Sequence, residues 1–220
     1  MELIAKGNTA DVFEYGEGKV CKLFKNGYDE AAVDREILNT KVMNKTSVKT
    51  PRFVEKVQIE GRTGVIYSKV TGPTLLTELK NEMTPEKFAC ILQEMSVLQK
   101  QLHTHESTEC ISYKEFLSYF GYDKLDQLPD GNTICHGDFH PDNIIRTPDN
   151  DLVLIDFMNV CHGPKEYDIA RTYVLITEFI QDPQAREVAG NSYLNLMNVS
   201  LTDIEPFIEA VKFCRKREML

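Results

Sequence analysis

Between Cys135 and Asn143 the chain reads CHGDFHPDN, which gathers two histidines, two aspartates, an asparagine and a proline just ahead of an apolar run. Those residue types fit three readings. His136, Asp138 and His140 alternate, so a regular strand would turn all three to one side, as a metal-dependent hydrolase needs. Pro141 holds His140 in compatible extended geometry. In the second reading, Asp138 takes the proton of an attacking hydroxyl while hard oxygen donors hold a divalent cation, the set that phosphoryl transfer requires. The third is a polar turn. The continuation IIRTPDNDLVLIDF bears on the choice. Ile144 and Ile145 begin a short strand, PDND turns the chain, and Leu152 to Ile155 return to end at Asp156. Such a hairpin folds Asp138, Asn143 and Asp156 toward one another. Burying three polar groups without compensation is costly, so their convergence points to a ligand or ion.

The elements needed to position them are readable on both sides. ELIA, ADVFEY and KVCKLF are strand candidates, the latter two separated by Gly16 and Gly18. DEAAVDREILNTKV follows as a helix with Asp29 as N-cap and Val33, Ile37 and Thr40 on one face. RFVEKVQIE and GVIYSKV then read as two more strands. Beyond the Gly72-Pro73 punctuation, TPEKFACILQEMSVLQKQLH is the strongest helix, with Thr84 as N-cap, Pro85 at the first position and an apolar stripe from Phe88 to Leu102. ISYKEFLSYF, KEYDIARTYVLITEFI, AREVAGNSYLNLM and SLTDIEPFIEAVKFC are further helices, the last opened by a Ser200–Asp203 capping box. Lys212, Arg215, Lys216 and Arg217 crowd its C-terminal end, where the helix dipole favours them.

The run His136-Gly137-Asp138-Phe139-His140-Pro141-Asp142-Asn143, followed by Leu154-Ile155-Asp156-Phe157, resembles the aminoglycoside phosphotransferase and choline kinase-like family of small-molecule kinases. The resemblance implies an α+β, two-lobed protein-kinase-like fold: residues 1–70 a nucleotide-binding lobe of antiparallel sheet with one helix, residues 71–220 a mainly helical catalytic and substrate-binding lobe. It implies Asp138 as catalytic base and Asn143 and Asp156 as magnesium ligands, with His136 supporting the loop. Asp168, in GPKEYDIARTY, would have a structural role. In the first lobe such a kinase needs a strand lysine for the phosphates and a helical acid to orient it. Lys22 in VCKLF is the lysine, and Glu36 is a better partner than Glu30, which sits in the first helical turn where acids are common as caps. AKGNTADVF has a single glycine, a departure from GxGxxG; the backbone N–H groups of Gly7, Asn8, Thr9 and Ala10 would cover the phosphates. The strand ending Tyr67-Ser68-Lys69-Val70 is the hinge candidate for the nucleotide base, with Ser68 and Val70 as the contacts. The donor expected is ATP, with GTP an alternative, carried with Mg2+.

Composition sets outer limits. Hydrophobic residues make up 42% and charged residues 27%, ordinary for a folded soluble chain. A formal charge of −9 argues against broad nucleic-acid affinity and favours a cationic or neutral partner. The six cysteines form no CxxC pair, and neither a leader nor a membrane-length apolar run is evident, which leads to an expectation of a reduced, cytoplasmic protein. Oligomeric state is left open. The acceptor expected is a small hydroxyl-bearing molecule, an amino sugar, choline-like compound or other amine, with Glu178 as a candidate contact. Two rivals stand beside the kinase reading. One is a catalytically silent kinase-fold binding or regulatory protein. The other is the hydrolase, which leaves Asn143, Asp156 and the Lys22–Glu36 pair without a common role.

Overall fold

The computed structural model describes residues 1–218. Its first part is a five-stranded antiparallel sheet in the order β1-β2-β3-β5-β4, built from β1 (Leu3–Lys6), β2 (Ala10–Glu14), β3 (Lys19–Phe24), β4 (Phe53–Ile59) and β5 (Arg62–Ser68). Helix α1 (Glu30–Met43) connects β3 to β4. Asp29 caps it by accepting from the Ala31 N–H at 3.0 Å, and Val33, Ile37 and Thr40 are buried on one face as their spacing predicts. The alternation of β3 divides the sheet's two sides. Phe24 packs with Val33, Ile37, Val65 and Tyr67, while Cys21 and Leu23 pack with Ile66 on the opposite face. Lys22 shares the face of Phe24, so strand periodicity alone points its ammonium toward α1.

Beyond the sheet, the described residues form helices and two short ribbons joined by loops. The helices are α2 (Leu75–Asn81), α3 (Pro85–Leu102), α4 (Tyr113–Tyr119), α5 (Lys165–Phe179), α6 (Pro183–Met197) and α7 (Leu201–Glu218). One ribbon pairs β6 (Thr133–Cys135) with β9 (Cys161–Gly163); the other pairs β7 (Ile144–Arg146) with β8 (Leu152–Leu154). Thr84 caps α3 with Pro85 in its first turn, and the stripe from Ile91 to Leu102 is buried. At α7 the capping box forms as its residues predict: Asp203 Oδ2 accepts from the Ser200 N–H at 2.7 Å. The α+β architecture, a sheet lobe followed by a helical one, is therefore the one the motif implies. Helix α2 was read only as punctuated chain, although Thr74 caps it by accepting from the Thr77 N–H.

The segment joining the sheet to the helices is stapled to β7. Gly72 has φ +144°, and a Cβ there would lie 1.9 Å from the Arg146 carbonyl oxygen, so no other residue fits this crossing. The Arg146 N–H donates to the Pro73 carbonyl at 3.0 Å. Its guanidinium binds Glu78 on α2 at 2.7 Å and Glu94 on α3 at 2.7 Å. Val42, Met43 and Val48, at and just beyond the end of α1, belong to the same apolar cluster as Leu75, Ile91, Phe139 and Leu154. That shared core anchors α1 to the ribbon carrying the site.

Candidate active site

The sheet delivers a lysine between two carboxylates. Lys22 Nζ lies 2.8 Å from Glu36 Oε1 on α1 and 3.0 Å from Asp156 Oδ1 beyond β8. The Tyr67 hydroxyl donates to Glu36 Oε1 at 3.0 Å from β5, fixing the acid that fixes the lysine. Burial works against the ammonium of Lys22, but the charges of Asp156 and Glu36 outweigh it and push its pKa up. Burial raises the carboxyl of Glu36 despite Lys22 beside it. Desolvation raises Asp156 as well, although its side chain is 44% exposed, and Lys22 draws it below the ordinary carboxylate range. Glu30, the weaker candidate, instead reaches Lys56 at 2.7 Å. At Asp156 the backbone sits in the left-handed region, φ +64°, where a non-glycine residue is held against its preference.

The loop from His136 to Asn143 presents Asp138 and Asn143 to the same space. The Ile155 N–H donates to the Asn143 carbonyl at 2.9 Å, which sets Asn143 beside the residue preceding Asp156. Asn143 turns its amide nitrogen to the Asp138 backbone oxygen at 2.9 Å and to Asp138 Oδ2 at 3.3 Å. Its amide oxygen has no hydrogen-bond donor among the described residues. An amide oxygen and a neighbouring carboxylate are the hard donors that magnesium takes, so these residues fit that ion.

The partners of the two histidines assign their protons. His136 Nδ1 accepts from the Asp138 N–H at 3.3 Å and Nε2 donates to the Ile155 carbonyl at 3.1 Å. His140 Nδ1 accepts from the Asp142 N–H, leaving Nε2 to donate to Asp138 Oδ2 at 3.3 Å. Both nitrogens of buried His136 are thus engaged within the loop, and the hydrolase reading loses its first ligand. Burial pushes the Asp138 carboxyl up, but the His140 hydrogen bond and the Arg171 charge outweigh it and hold it well below the usual range. Asp138 is a carboxylate at neutral pH.

Burial holds the His136 imidazole below its ordinary value of 6.5, so the native state keeps it neutral. The unfolded chain takes up that proton as pH falls through 6.5, and its contribution to stability is lost below that point. The denaturation midpoint is expected to drop between about pH 7 and about pH 5, with a smaller drop in His136→Gln. Equal pH slopes in the two proteins would exclude this role.

Beneath the loop lies Asp168, fully buried in the first turn of α5. Its Oδ1 accepts from the Gly137 N–H at 2.8 Å, and its Oδ2 accepts from Gln99 Nε2 at 2.9 Å and from His103 Nε2 at 2.9 Å. Burial raises this carboxyl, but the His103 and Gln99 contacts and the Gly137 N–H bring it below the ordinary range. Gly137 adopts φ +75°, and a Cβ would meet the Asn159 carbonyl at 2.2 Å. Gln99 and His103 were absent from the sequence reading; the signal was a glutamine inside the apolar stripe of α3, four residues beyond Met95.

The remaining candidates fall as follows. Gly7 to Thr9 form the exposed turn between β1 and β2, closed by the Gly7 N–H donating to the Ala10 carbonyl at 2.9 Å. The N–H groups of Asn8 and Thr9 have no intramolecular acceptor among the described residues. At the hinge the Ser68 N–H donates to the Arg52 carbonyl and its Oγ accepts from the Arg52 N–H, so both groups are spent on β4's approach. Val70 makes no such bond. Glu178 is exposed on the last turn of α5 and faces Arg215 at 3.5 Å. A concavity of about 480 Å³ shares only Val70 with these residues and is lined by Asn44, Lys49, Arg52 and Pro148 among others. The cluster of Lys22, Glu36 and Asp156 lies outside it.

Residues 120–198 match the family model described as the phosphotransferase enzyme family. Most of the chain superimposes on solved aminoglycoside phosphotransferases. With the type VIII aminoglycoside-3'-phosphotransferase it shares 16% identity at a TM-score of 0.67, covering 96% of this chain and 93% of that one. With APH(3'')-Id from Streptomyces rimosus, solved with ADP and streptomycin, the values are 14% and 0.64, over 92% and 90% of the two chains. The streptomycin–ATP ternary complex of APH(2")-IIa gives 15% and 0.62, over 95% and 80%. No curated protein sequence matches the chain. At these identities the structural likeness establishes the protein-kinase-like fold. The motif's resemblance to phosphotransferases is matched by the family model over the segment that holds Asp138, Asn143, Asp156 and Asp168.

Proposed function

We propose that this protein is an ATP-dependent phosphotransferase that moves the γ-phosphoryl group to a hydroxyl of a small molecule. The observation that carries the reading is Lys22 held between Glu36 and Asp156 at 2.8 and 3.0 Å, with Asn143 pinning Asp138 beside them. Lys22 would hold the α- and β-phosphates, oriented by Glu36. Asn8 and Thr9 offer free N–H groups over the phosphates, and Val70 the backbone contact to the base; Ser68 holds the hinge strand to Arg52. Asn143 and Asp156 would hold magnesium, which when bound neutralises charge on the phosphates. Asp138 accepts a hydrogen bond from the acceptor hydroxyl and takes its proton as the new O–P bond forms and the bond to the β-phosphate oxygen breaks, releasing ADP. His136 and Asp168 keep the loop in shape.

The chain carries Lys22, Glu36, Asp138, Asn143 and Asp156, the residue types phosphoryl transfer needs, which supports an enzyme over a silent binding protein. All six cysteines are free and five are buried, in keeping with a reducing, cytoplasmic setting. Among the described residues no helix is long and apolar enough to cross a membrane. The test is ATP consumption against a panel of hydroxyl-bearing amines, sugars and acids. Lys22→Met is expected to weaken nucleotide binding at least about tenfold, the usual scale for losing one charge-assisted contact. Undiminished ATP affinity in that variant would remove the lysine from its role.

A further inference from the structure

A second charged cluster meets Asp138 from α5 and α7 and has no part in the chemistry above. Arg171 is fully buried; its Nη2 lies 4.0 Å from Asp138 Oδ1 and 2.9 Å from Glu218 Oε1. The other Glu218 oxygen accepts from Arg215 Nη1 at 3.0 Å, so two guanidinium groups hold one carboxylate. The clamp is not saturated. Five buried side-chain polar atoms have no hydrogen-bond partner among the described residues, and four of them are here: the Tyr167 hydroxyl, Arg171 Nε and Nη1, and Arg215 Nε, which has only the Glu178 carboxylate at 3.5 Å. Tyr167 stands one turn before Arg171 on α5, and the Arg171 guanidinium carbon sits 5.6 Å from the Phe116 ring centroid.

Buried donors without acceptors are costly, and three of these four atoms can only donate. Gathered at the Glu218 carboxylate beside Asp138, these unpaired donors make a seat that an acceptor oxygen anion would fill and an ammonium, itself a donor, would not. We propose that Arg171 and Arg215 bind the carboxylate of the phosphoryl acceptor, and that Glu218 fills this seat until the acceptor displaces it. The acceptor is then a hydroxy acid, in place of the amine expected from the sequence. Glu178, the residue expected to meet that amine, instead faces Arg215. The 4.0 Å between Arg171 and Asp138 keeps the acceptor short, with hydroxyl and carboxylate on neighbouring or next-neighbouring carbons. Because Glu218 already holds Arg171 Nη2 and Arg215 Nη1 on the same two guanidinium groups, it lowers the apparent affinity by the fraction of protein whose seat is free.

This inference rests on the phosphotransferase reading for the acceptor's role, and the two are separable by experiment. Calorimetric titrations of the full chain with glycolate and with ethanolamine compare a hydroxy acid with a small amino alcohol. Glu218 is partly exposed near the end of α7, so Glu218→Gln is expected to fold; it should bind glycolate about tenfold more tightly than the parent, with no gain for ethanolamine. Arg215→Gln should weaken glycolate binding in the parent and abolish the gain in the double variant. Equal glycolate affinity in parent and Glu218→Gln, or preference for ethanolamine, overturns the proposal and leaves Arg171 a structural brace. A parallel ATP titration reads the other question: absent ATP binding defeats the kinase reading, while a glycolate gain still upholds the anion seat.

Discussion

Asp138→Asn is expected to cut kcat by about 10²- to 10⁴-fold, the range general-base catalysis supplies, while leaving nucleotide affinity unchanged and lowering the melting temperature only modestly, by the lost charge contacts to His140 and Arg171. The selectivity follows from the contacts. The Asp138 backbone oxygen, not its side chain, receives the shorter Asn143 hydrogen bond, at 2.9 Å against 3.3 Å. Lys22, Glu36 and Asp156 bind one another without it. An asparagine keeps the shape and one acceptor oxygen, so His140 retains a partner. What disappears is the negative charge and the ability to take a proton from the hydroxyl. ADP formation at saturating acceptor, read beside thermal melting, checks the prediction. Turnover at the parent rate would defeat the mechanism, and a collapsed melting temperature would move Asp138 from catalysis to folding.

Residues that act with near neighbours in sequence were legible, and residues that act across the fold were not. That CHGDFHPDN and IDF come together could be read because one hairpin joins them, and the ladder from Ile144–Leu154 to Arg146–Leu152 is fixed by local turn chemistry. Glu36 could be chosen over Glu30 because helical spacing puts it on the face of Val33 and Thr40. Strand β9, three residues followed by Pro164, is too short for any periodicity to show and exists because β6 lies beside it. Arg171 read as one more polar residue in a helix. Its burial is a property of α7 closing over α5, which no window of the sequence contains. The same holds for Ser68, whose hydrogen bonds depend on where β4 begins.

The platform under the loop carries the larger effect on stability. Asp168→Ala would leave the Gly137 N–H, Gln99 Nε2 and His103 Nε2 without their shared acceptor in a fully buried place. Gln99 also donates to the Thr172 hydroxyl at 3.1 Å and accepts from the Tyr193 hydroxyl at 2.6 Å, so the vacancy reaches α6 as well as α3 and α5. Removing one side of a buried ionic network costs about 3–5 kcal/mol. For a chain of this length that corresponds to a fall in melting temperature of roughly 6–20 °C. Asp168→Asn keeps the volume but turns an amide donor toward a donor, and should fall between the two. Because the folded carboxyl is held below the ordinary 3.8, its contribution is fully present above that value and is lost as pH falls through the folded pKa. The melting difference between parent and Asp168→Ala should therefore be constant near neutral pH and shrink only in strong acid. A difference under about 2 °C at neutral pH would show that the contacts of Asp168 add little to what packing already secures. A large one accompanied by lost turnover would tie the position of Asp138 to a carboxylate thirty residues downstream, through the single backbone N–H of Gly137.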